Sequence, residues 1–137
     1  MTQEDKELLL RDLSARLPYG VKINVNGEED TLLELGVDTG WINASYDIED
    51  VKPYLRSLSS MTEEEKIDIL QSLNIHGDID NEGNLLLGVE CDIITLKVCK
   101  KYLGELNKRM FDVCHMVEKG LALEAPEGMY NINKKEK

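Results

Sequence analysis

The sequence predicts an α+β fold: an N-terminal helix, a small antiparallel β-meander, a proline-containing hinge, and a mainly helical C-terminal half with one β-hairpin. Three observations support this prediction. Apolar and polar residues alternate strictly from Val21 to Asn26, as in a half-buried strand. A helix start signal at Thr62 follows the helix breaker Pro53. Apolar residues then recur every three or four positions between Asp92 and Met110, which is typical of an amphipathic helix.

The first helix is predicted from Thr2 to Leu17. Thr2 and Asp5 resemble a capping pair, because a threonine hydroxyl can accept the amide hydrogen of the third helical residue. Pro18 ends the helix and Tyr19-Gly20 turns the chain. Leucines recur at helical spacing on one side, at Leu9, Leu10, Leu13 and Leu17.

Three strands are predicted next, at Val21–Asn26, Leu33–Val37 and Trp41–Ile48. Turn sequences separate them, first at Asn26-Gly27 and then at Asp38-Thr39-Gly40. Connections this short join antiparallel neighbours. The meander could form a small SH3-like curl or an open sheet, and the sequence leaves both alternatives open.

The hinge covers residues 50–65. Pro53 fixes its own φ and disfavours helix before it, so a short irregular segment is expected, with Tyr54 lying over the edge or open end of the sheet. A helix then begins. The Thr62 hydroxyl can accept from the Glu65 amide while the Glu65 carboxylate accepts from the Thr62 amide, which is a capping box.

The C-terminal half is predicted as two helices around a hairpin. The capped helix runs from about Glu63 to Leu73 with an apolar stripe, and a hairpin follows from His76 to Gly88. The second helix, Asp92 to Met110, is basic, and Asp112–Gly120 forms a further short helical segment. Residues 121–130 are expected to be irregular. The stripe is Ile67, Leu70 and Leu73, and the core face of the second helix is Leu96, Cys99, Leu103, Leu106 and Met110.

Composition predicts one globular domain over residues 1–130 and a polar tail over residues 131–137. The net charge of -11 argues against a general nucleic-acid binder, because phosphates would repel the chain as a whole. No apolar stretch approaches membrane-spanning length and no signal peptide is visible, so we expect a cytoplasmic protein without a membrane partner.

Three stretches of the chain resemble a known family: Ala15–Val21, Asp50–Glu65 and Phe111–Pro126. The sequence is similar there to small uncharacterised proteins of Bacteroides-type gut bacteria and of their phages and prophages. Two departures stand out, since Ser57 replaces a proline and Val113-Cys114-His115 replaces an aromatic residue followed by arginine. The resemblance implies a mobile-element setting and carries over no catalytic residue.

One segment partly matches a calcium-binding loop. Its loop positions 1, 3, 5 and 6 would be Asp78, Asp80, Glu82 and Gly83. The bidentate glutamate required at position 12 is replaced by Val89, and Glu90 misses that position by one residue. The strand-like sequence that follows favours a solvated hairpin turn, so no calcium or other metal site is expected.

The cysteines and histidines do not form a recognisable site. Cys114 and His115 are adjacent, and neighbouring residues on a helix do not face each other. The remaining histidine, His76, and the other two cysteines, Cys91 and Cys99, show no zinc-ligand spacing. We therefore expect three reduced, partly buried thiols, with no catalytic residue and no cofactor.

Six residues are candidates for partner binding. Trp41 at a strand start could bind a partner or cap the core, and Tyr54 and Arg56 would be available if the hinge is exposed. Three lysines fall on one side of the basic helix, at Lys97, Lys101 and Lys108.

These observations favour a non-enzymatic interaction or accessory protein of a phage or mobile element that binds a host or phage protein. The alternative is local binding of nucleic acid or phosphate through the lysine side of the basic helix. An acidic mimic of DNA and an enzyme with cysteine or metal chemistry have weaker support. The sequence leaves the identity of the partner and the oligomeric state open.

Overall fold

The structure is a computed structural model that describes residues 1–36, 41–87 and 96–130. The chain forms two compact units. Unit 1 comprises Met1–Leu55 with Cys114–Lys137, and unit 2 comprises Arg56–Val113. The α+β class with an N-terminal helix is confirmed. One domain over residues 1–130 stays a prediction, and the tail over residues 131–137 lies outside the described residues.

Helix α1 spans Gln3–Arg16 and opens unit 1. Its predicted cap is confirmed, because the Thr2 hydroxyl accepts from the Asp5 amide at 3.1 Å and the Asp5 carboxylate accepts from the Thr2 amide at 3.4 Å. Leu9 and Leu13 are fully buried, so one side of the helix packs into the core. The helix passes into a 3-10 turn that contains the predicted breaker Pro18.

A four-stranded open sheet forms most of the rest of unit 1, in the order β2-β1-β5-β8. Its strands are β1 (Lys22–Val25), β2 (Glu28–Thr31), β5 (Val51–Leu55) and β8 (Leu123–Glu124), and a separate hairpin contains β3 (Trp41–Ile42) and β4 (Tyr46–Asp47). The prediction of β1 is confirmed. Within the described residues this sheet has β2 and β8 at its edges, and β5, which follows the separate hairpin, lies beside β1.

The predicted second strand is in the wrong place. The partner of β1 is β2, which begins directly after Asn26 and Gly27, whose φ values of 53° and 94° suit a two-residue hairpin turn. This turn determines which residues pair, so three acidic residues form the strand despite their polarity. The apolar run that begins at Leu33 makes a single bridge, between Leu35 and Ile42. Val37 and the turn at residues 38–40 lie outside the described residues.

The predicted third strand, Trp41–Ile48, is wrong as one element. Asn43 and Ala44 have φ values of 51° and 67°, and this left-handed backbone separates β3 from β4. Ile48 instead begins a 3-10 turn.

The prediction of an irregular hinge at Pro53 is also wrong, because Pro53 lies within β5 between β1 and β8. In the β1 ladder Pro53 faces Ile23, whereas the parallel pairing with β8 begins only at Tyr54, opposite Leu123. Pro53 therefore has a ladder neighbour on one side only, and a residue without an N–H is tolerated there. Residues 121–130, which were also expected to be irregular, contain strand β8.

The hydroxyl of Tyr130 takes the place of a ladder hydrogen bond between β1 and β5. Ile23 pairs with Pro53, so Lys22 and Tyr54 would form the next pair. Instead the Tyr130 hydroxyl accepts from the Lys22 amide at 2.9 Å and donates to the Tyr54 carbonyl at 2.7 Å. Burial raises the pKa of Tyr130 to about 12, so at neutral pH the hydroxyl keeps the proton that it donates. This side chain fastens the C-terminal segment to the sheet.

The described residues of unit 2 include helix α2 (Glu63–Leu73), a hairpin of β6 (Gly77–Ile79) and β7 (Leu85–Leu87), and helix α3 (Leu96–Lys108). The predicted α2 and hairpin are confirmed, and the predicted start of α3 at Asp92 lies outside the described residues. Among the described residues, the core includes Met61, Ile69, Leu73, Ile75, Ile79, Tyr102, Leu106 and Phe111. The short helix predicted over Asp112–Gly120 is wrong, because these residues form turns.

The predicted buried faces of both helices are partly wrong. In α2 the buried positions are Glu65, Ile69 and Leu73, and Ile67 is 53% exposed. In α3 Tyr102 and Leu106 are buried, whereas Leu103 is 49% exposed and Cys99 is also exposed. The apolar pattern misled because a glutamate and a tyrosine occupy inward positions.

Candidate functional site

Arg56 and Glu65 form a buried ion pair in unit 2. Nη1 and Nη2 of Arg56 each donate to one carboxylate oxygen of Glu65, both at 2.8 Å. The guanidinium also lies over the ring of Phe111, 4.1 Å from its centroid, and Nη1 donates to the Arg109 carbonyl at 3.2 Å. Such a fork combines charge with fixed geometry. Arg56 is 8% exposed and Glu65 2%, so the pair is part of the core.

Glu65 has a second task as the third residue of α2. The predicted capping box is confirmed: the Thr62 hydroxyl accepts from the Glu65 amide and the Glu65 carboxylate accepts from the Thr62 amide, both at 3.1 Å. Burial, the largest influence, acts to raise the pKa of Glu65. The hydrogen bonds from Arg56 and Thr62 and the charges of Arg56 and Arg109 outweigh it, so the pKa lies below its ordinary value.

The partner-binding role predicted for Arg56 does not fit this position. Its guanidinium is used by Glu65, the Phe111 ring and the Arg109 carbonyl, and these contacts leave little of it at the surface. Its amide also donates to the Met110 carbonyl at 2.7 Å. Arg56 therefore joins the start of α2 to the end of α3 within unit 2, and it serves the fold.

The three predicted lysines of α3 are all exposed. Lys97, Lys101 and Lys108 recur at intervals of four and seven residues and so lie on one side of the helix, with the exposed Lys100 beside them. Gly104 lies seven residues after Lys97, in the middle of this side. A Cβ at Gly104 would have open space around it, with no heavy atom of the described residues within 4 Å apart from the adjoining helix backbone.

Leu103 is an exposed apolar residue at the border of this side. It is 49% exposed and lies three residues after Lys100, within one helical turn. We call this surface the α3 face and define it as Lys97, Lys100, Lys101, Leu103, Gly104 and Lys108. It combines an exposed leucine and a bare stretch of helix backbone with four surrounding positive charges.

The outer side of α2 has the opposite charge. Glu63 and Glu64 are exposed in its first turn, and Ile67 follows them at spacings of four and three residues. Ile67 is 53% exposed, although the apolar pattern had predicted it to be buried. We call Glu63, Glu64 and Ile67 the α2 face.

The other two predicted contact residues belong to unit 1. Trp41 is 46% exposed at the start of β3. Tyr54 is half-buried in β5, where its hydroxyl accepts from the Asn24 side-chain amide at 2.9 Å. Trp41 is thus accessible to a partner, and Tyr54 is partly committed to the sheet.

Sequence reasoning did not identify an acidic cleft in unit 1. It has a volume of about 350 Å³, and its lining includes Glu28, Glu29 and Asp30 of the edge strand β2. Tyr46 closes one side, because its hydroxyl donates to Asp30 at 3.0 Å. That hydrogen bond, followed by the charge of Asp30, raises the pKa of Tyr46.

The calcium-like segment forms the predicted hairpin turn. Asp80 Oδ1 accepts from the amides of Glu82 and Asn84, both at 2.9 Å, and Oδ2 accepts from the Asn84 side chain at 3.1 Å. The Asn84 amide is the largest influence and lowers the pKa of Asp80. The carboxylate is therefore used to close the turn. Val89 and Glu90 lie outside the described residues.

Two cysteines and both histidines fall within the described residues. Cys99 and Cys114 are exposed, so the expectation of partly buried thiols is wrong for these two, and Cys91 lies outside the described part. Across residues 1–36, 41–87 and 96–130, no three His, Cys, Asp or Glu side chains are grouped as metal ligands. His115 lies 3.6 Å from Glu118 on the surface.

No family model matches this chain, and no curated protein or solved structure shows significant similarity to it. The resemblance to the Bacteroides-type family stays a prediction. None of the helices in the described part of the chain is both long enough and apolar enough to cross a membrane.

Proposed function

We propose that this chain is a non-enzymatic interaction protein, and that the α3 face binds an acidic protein surface. The single observation that supports this most strongly is Gly104. Glycine inside a helix costs about 1 kcal/mol relative to alanine. Alanine would fit at this position without a clash. A glycine that lowers stability without an internal packing reason fits a place where a partner approaches the helix backbone closely.

The charges around Gly104 indicate the chemistry of that partner. Lys97, Lys101 and Lys108 line the same side of α3, and all three are exposed. Long lysine side chains can cover apolar surface with their methylene groups while their ammonium groups reach outward. An acidic partner would gain steering and register from these charges.

Leu103 favours a protein partner over nucleic acid. Leu103 is exposed one helical turn from Lys100, and a partner that covers both would combine apolar and polar contacts as protein interfaces do. Phosphate groups would leave this side chain without an apolar contact. Nucleic-acid or phosphate binding by the same lysines is the second candidate, supported by their spacing alone.

The proposal includes the biological setting that the resemblance implies. The protein would act in the cytoplasm as an accessory factor of a phage or integrated element. Its partner would be a host or phage protein with an acidic surface.

The test is capture with immobilised protein from a lysate of the cells that encode it, followed by reconstitution with the purified captured partner. Lys101→Glu and Lys119→Glu form a matched pair, because both lysines are exposed and only Lys101 lies on the α3 face. We expect Lys101→Glu to weaken the reconstituted complex at least tenfold and Lys119→Glu to leave it unchanged.

A second arm measures binding to a 20-base-pair DNA duplex by fluorescence anisotropy over a salt series. If the protein binds this duplex, and if the binding weakens steeply with salt and is lost in Lys101→Glu, the result would support the nucleic-acid candidate instead. Equal weakening by the two lysine substitutions, or by neither, would contradict the α3 face as the docking surface.

A further inference from the structure

We propose that the acidic surface bound by the α3 face is the α2 face of a second copy of this chain. This inference rests on the function proposed above and names the partner. Both faces lie on the same unit, and they differ in sign. Glu63 and Glu64 provide the negative charges, and the lysines of α3 provide the positive charges.

The two faces match in their apolar parts as well. Ile67 is exposed next to two glutamates, and Gly104 leaves the backbone of α3 bare next to Leu103 and the lysines. Packed helices lie about 8–10 Å apart, and a small residue at the crossing point allows a bulky side chain to fit there. Ile67 would pack against α3 at Gly104.

The charges then fall into register along the helices. Glu63 and Glu64 precede Ile67 by about one turn, and Lys101 and Lys108 lie about one turn on either side of Gly104. With Ile67 at Gly104, the two carboxylates reach one of these lysines in either helix orientation. Glu63 already lies 3.4 Å from Lys66, whose side chain is mostly buried, but the Glu63 side chain is 84% exposed and stays accessible to a second copy.

The two faces of one copy cannot satisfy each other. Helices α2 and α3 pack through their inward sides, where Ile69 and Leu73 share the core with Tyr102 and Leu106. Ser72 also donates to Glu105 between the helices at 3.2 Å. The outward faces carry the exposed residues and therefore need a second molecule.

A two-fold arrangement would use both faces of each copy. The α3 face of one copy would meet the α2 face of the other, and the reverse contact would follow by symmetry. The assembly would close as a dimer with two equivalent contacts. Added salt screens the attraction between the two faces and also the repulsion between two copies of net charge -11, so charge reversal is the informative test of the contact.

The experiment is sedimentation equilibrium of the full chain over a range of protein and salt concentrations. The negative variant carries Lys97→Glu, Lys101→Glu and Lys108→Glu, and the positive variant carries Glu63→Lys and Glu64→Lys. We expect the parent protein to dimerise and each variant alone to be at least tenfold weaker. An equimolar mixture of the two variants should dimerise again, because each reversed face meets a face of opposite charge.

Two further variants keep the test valid if a charge variant fails to fold. Ile67→Ala changes an exposed side chain and should weaken the dimer at least tenfold. Lys119→Glu should leave dimerisation at the parent level. Ile67→Ala that dimerises like the parent would overturn the proposed contact.

A parent protein that stays monomeric at millimolar concentration would also overturn this inference, as would a mixture of folded charge variants that stays monomeric. The function proposed above would survive that result if a captured partner still depends on Lys101 and not on Lys119. The proposed function would be contradicted separately if the captured partner binds Lys101→Glu as tightly as the parent protein.

Discussion

Unit 2 uses positive charge in two opposite ways. Arg56 is buried, paired with Glu65 through two hydrogen bonds and stacked on Phe111. The lysines of α3 are exposed around Gly104. The first group contributes to the stability of the fold, and the second is available to a partner. What separates them is the presence of a carboxylate held at the right distance and angle by a neighbouring element.

The difference can be traced to chemistry that the side chains already carry. A guanidinium is planar and can give two parallel hydrogen bonds to one carboxylate, whereas an ammonium acts as a single point charge on a flexible chain. Glu65 is fixed in place by its capping bond with Thr62, so it offers Arg56 a rigid partner. The comparison therefore predicts large stability losses at Arg56 and small ones at the lysines.

The largest effect is expected for Arg56→Ala. It leaves the Glu65 carboxylate buried without its main partner, and breaking a buried pair in this way costs about 3–5 kcal/mol. Chemical denaturation gives the free energy of unfolding directly. As a control, the double variant Arg56→Met/Glu65→Leu should lose less than Arg56→Ala, because no uncompensated charge remains. A loss below about 1 kcal/mol for Arg56→Ala would contradict the structural role.

The pH dependence of stability should reveal the same pair. The pKa of Glu65 is lowered in the folded protein from its ordinary value of 4.5. Its contribution is therefore complete above pH 4.5 and is lost as the pH falls through the lower folded value. Unfolding free energies of the parent and of Glu65→Gln, measured from pH 7 to pH 3, should differ by a constant amount above that range and converge below it. A difference that grows on acidification would have the wrong sign.

The capping box should have an intermediate effect. Thr62→Ala removes the hydroxyl that accepts from the Glu65 amide and should cost about 0.5–2 kcal/mol, whereas Thr62→Ser keeps it and should cost little. Glu65→Ala should combine with Thr62→Ala less than additively, because one capping box serves both residues. If the losses in unfolding free energy of the two single variants add up fully in the double variant, the two residues do not act through one capping box.

Local signals in the sequence were sufficient where neighbouring residues determine the structure. The box at Thr62 and Glu65 located the start of α2, and Asn26-Gly27 located the turn after β1. Contacts between residues far apart in the sequence could not be predicted. Pro53 suggested a break, yet it lies in a strand because its β8 neighbour begins one residue later. The place of β8 depends on a pairing across 69 positions, Tyr54 with Leu123, that no local pattern announces.

The candidate site was predictable to the same extent. Lysine spacing on α3 follows from the sequence, and the structure leaves those side chains exposed. The exposure of Ile67 and Leu103 could not be read from apolar periodicity, because Glu65 and Tyr102 occupy the inward positions. Tyr102 can do so because its hydroxyl donates to the Gly83 carbonyl at 2.6 Å. A periodicity rule that counts only apolar residues rotates both helices away from their observed orientation.

A smaller effect of opposite sign is expected for Gly104→Ala. Alanine meets no atom there and has the higher helix propensity, so the variant should be more stable by about 0.5–1 kcal/mol. The added methyl group occupies the bare backbone of the α3 face, so binding through that face should weaken. Thermal unfolding and sedimentation on the same sample separate the two effects. If the variant is more stable and still associates like the parent, the proposal that Gly104 leaves room for a partner would be contradicted.

The contrast between Arg56 and the lysines is tested most directly by Lys97→Gln/Lys101→Gln/Lys108→Gln, measured for the free energy of unfolding and for self-association on one preparation. These side chains are exposed, so we expect stability to change by less than about 0.5 kcal/mol while the dimer weakens at least tenfold. A loss of stability above about 1 kcal/mol would mean that the lysines serve the fold as Arg56 does. Unchanged association would mean that the α3 face is not a docking surface.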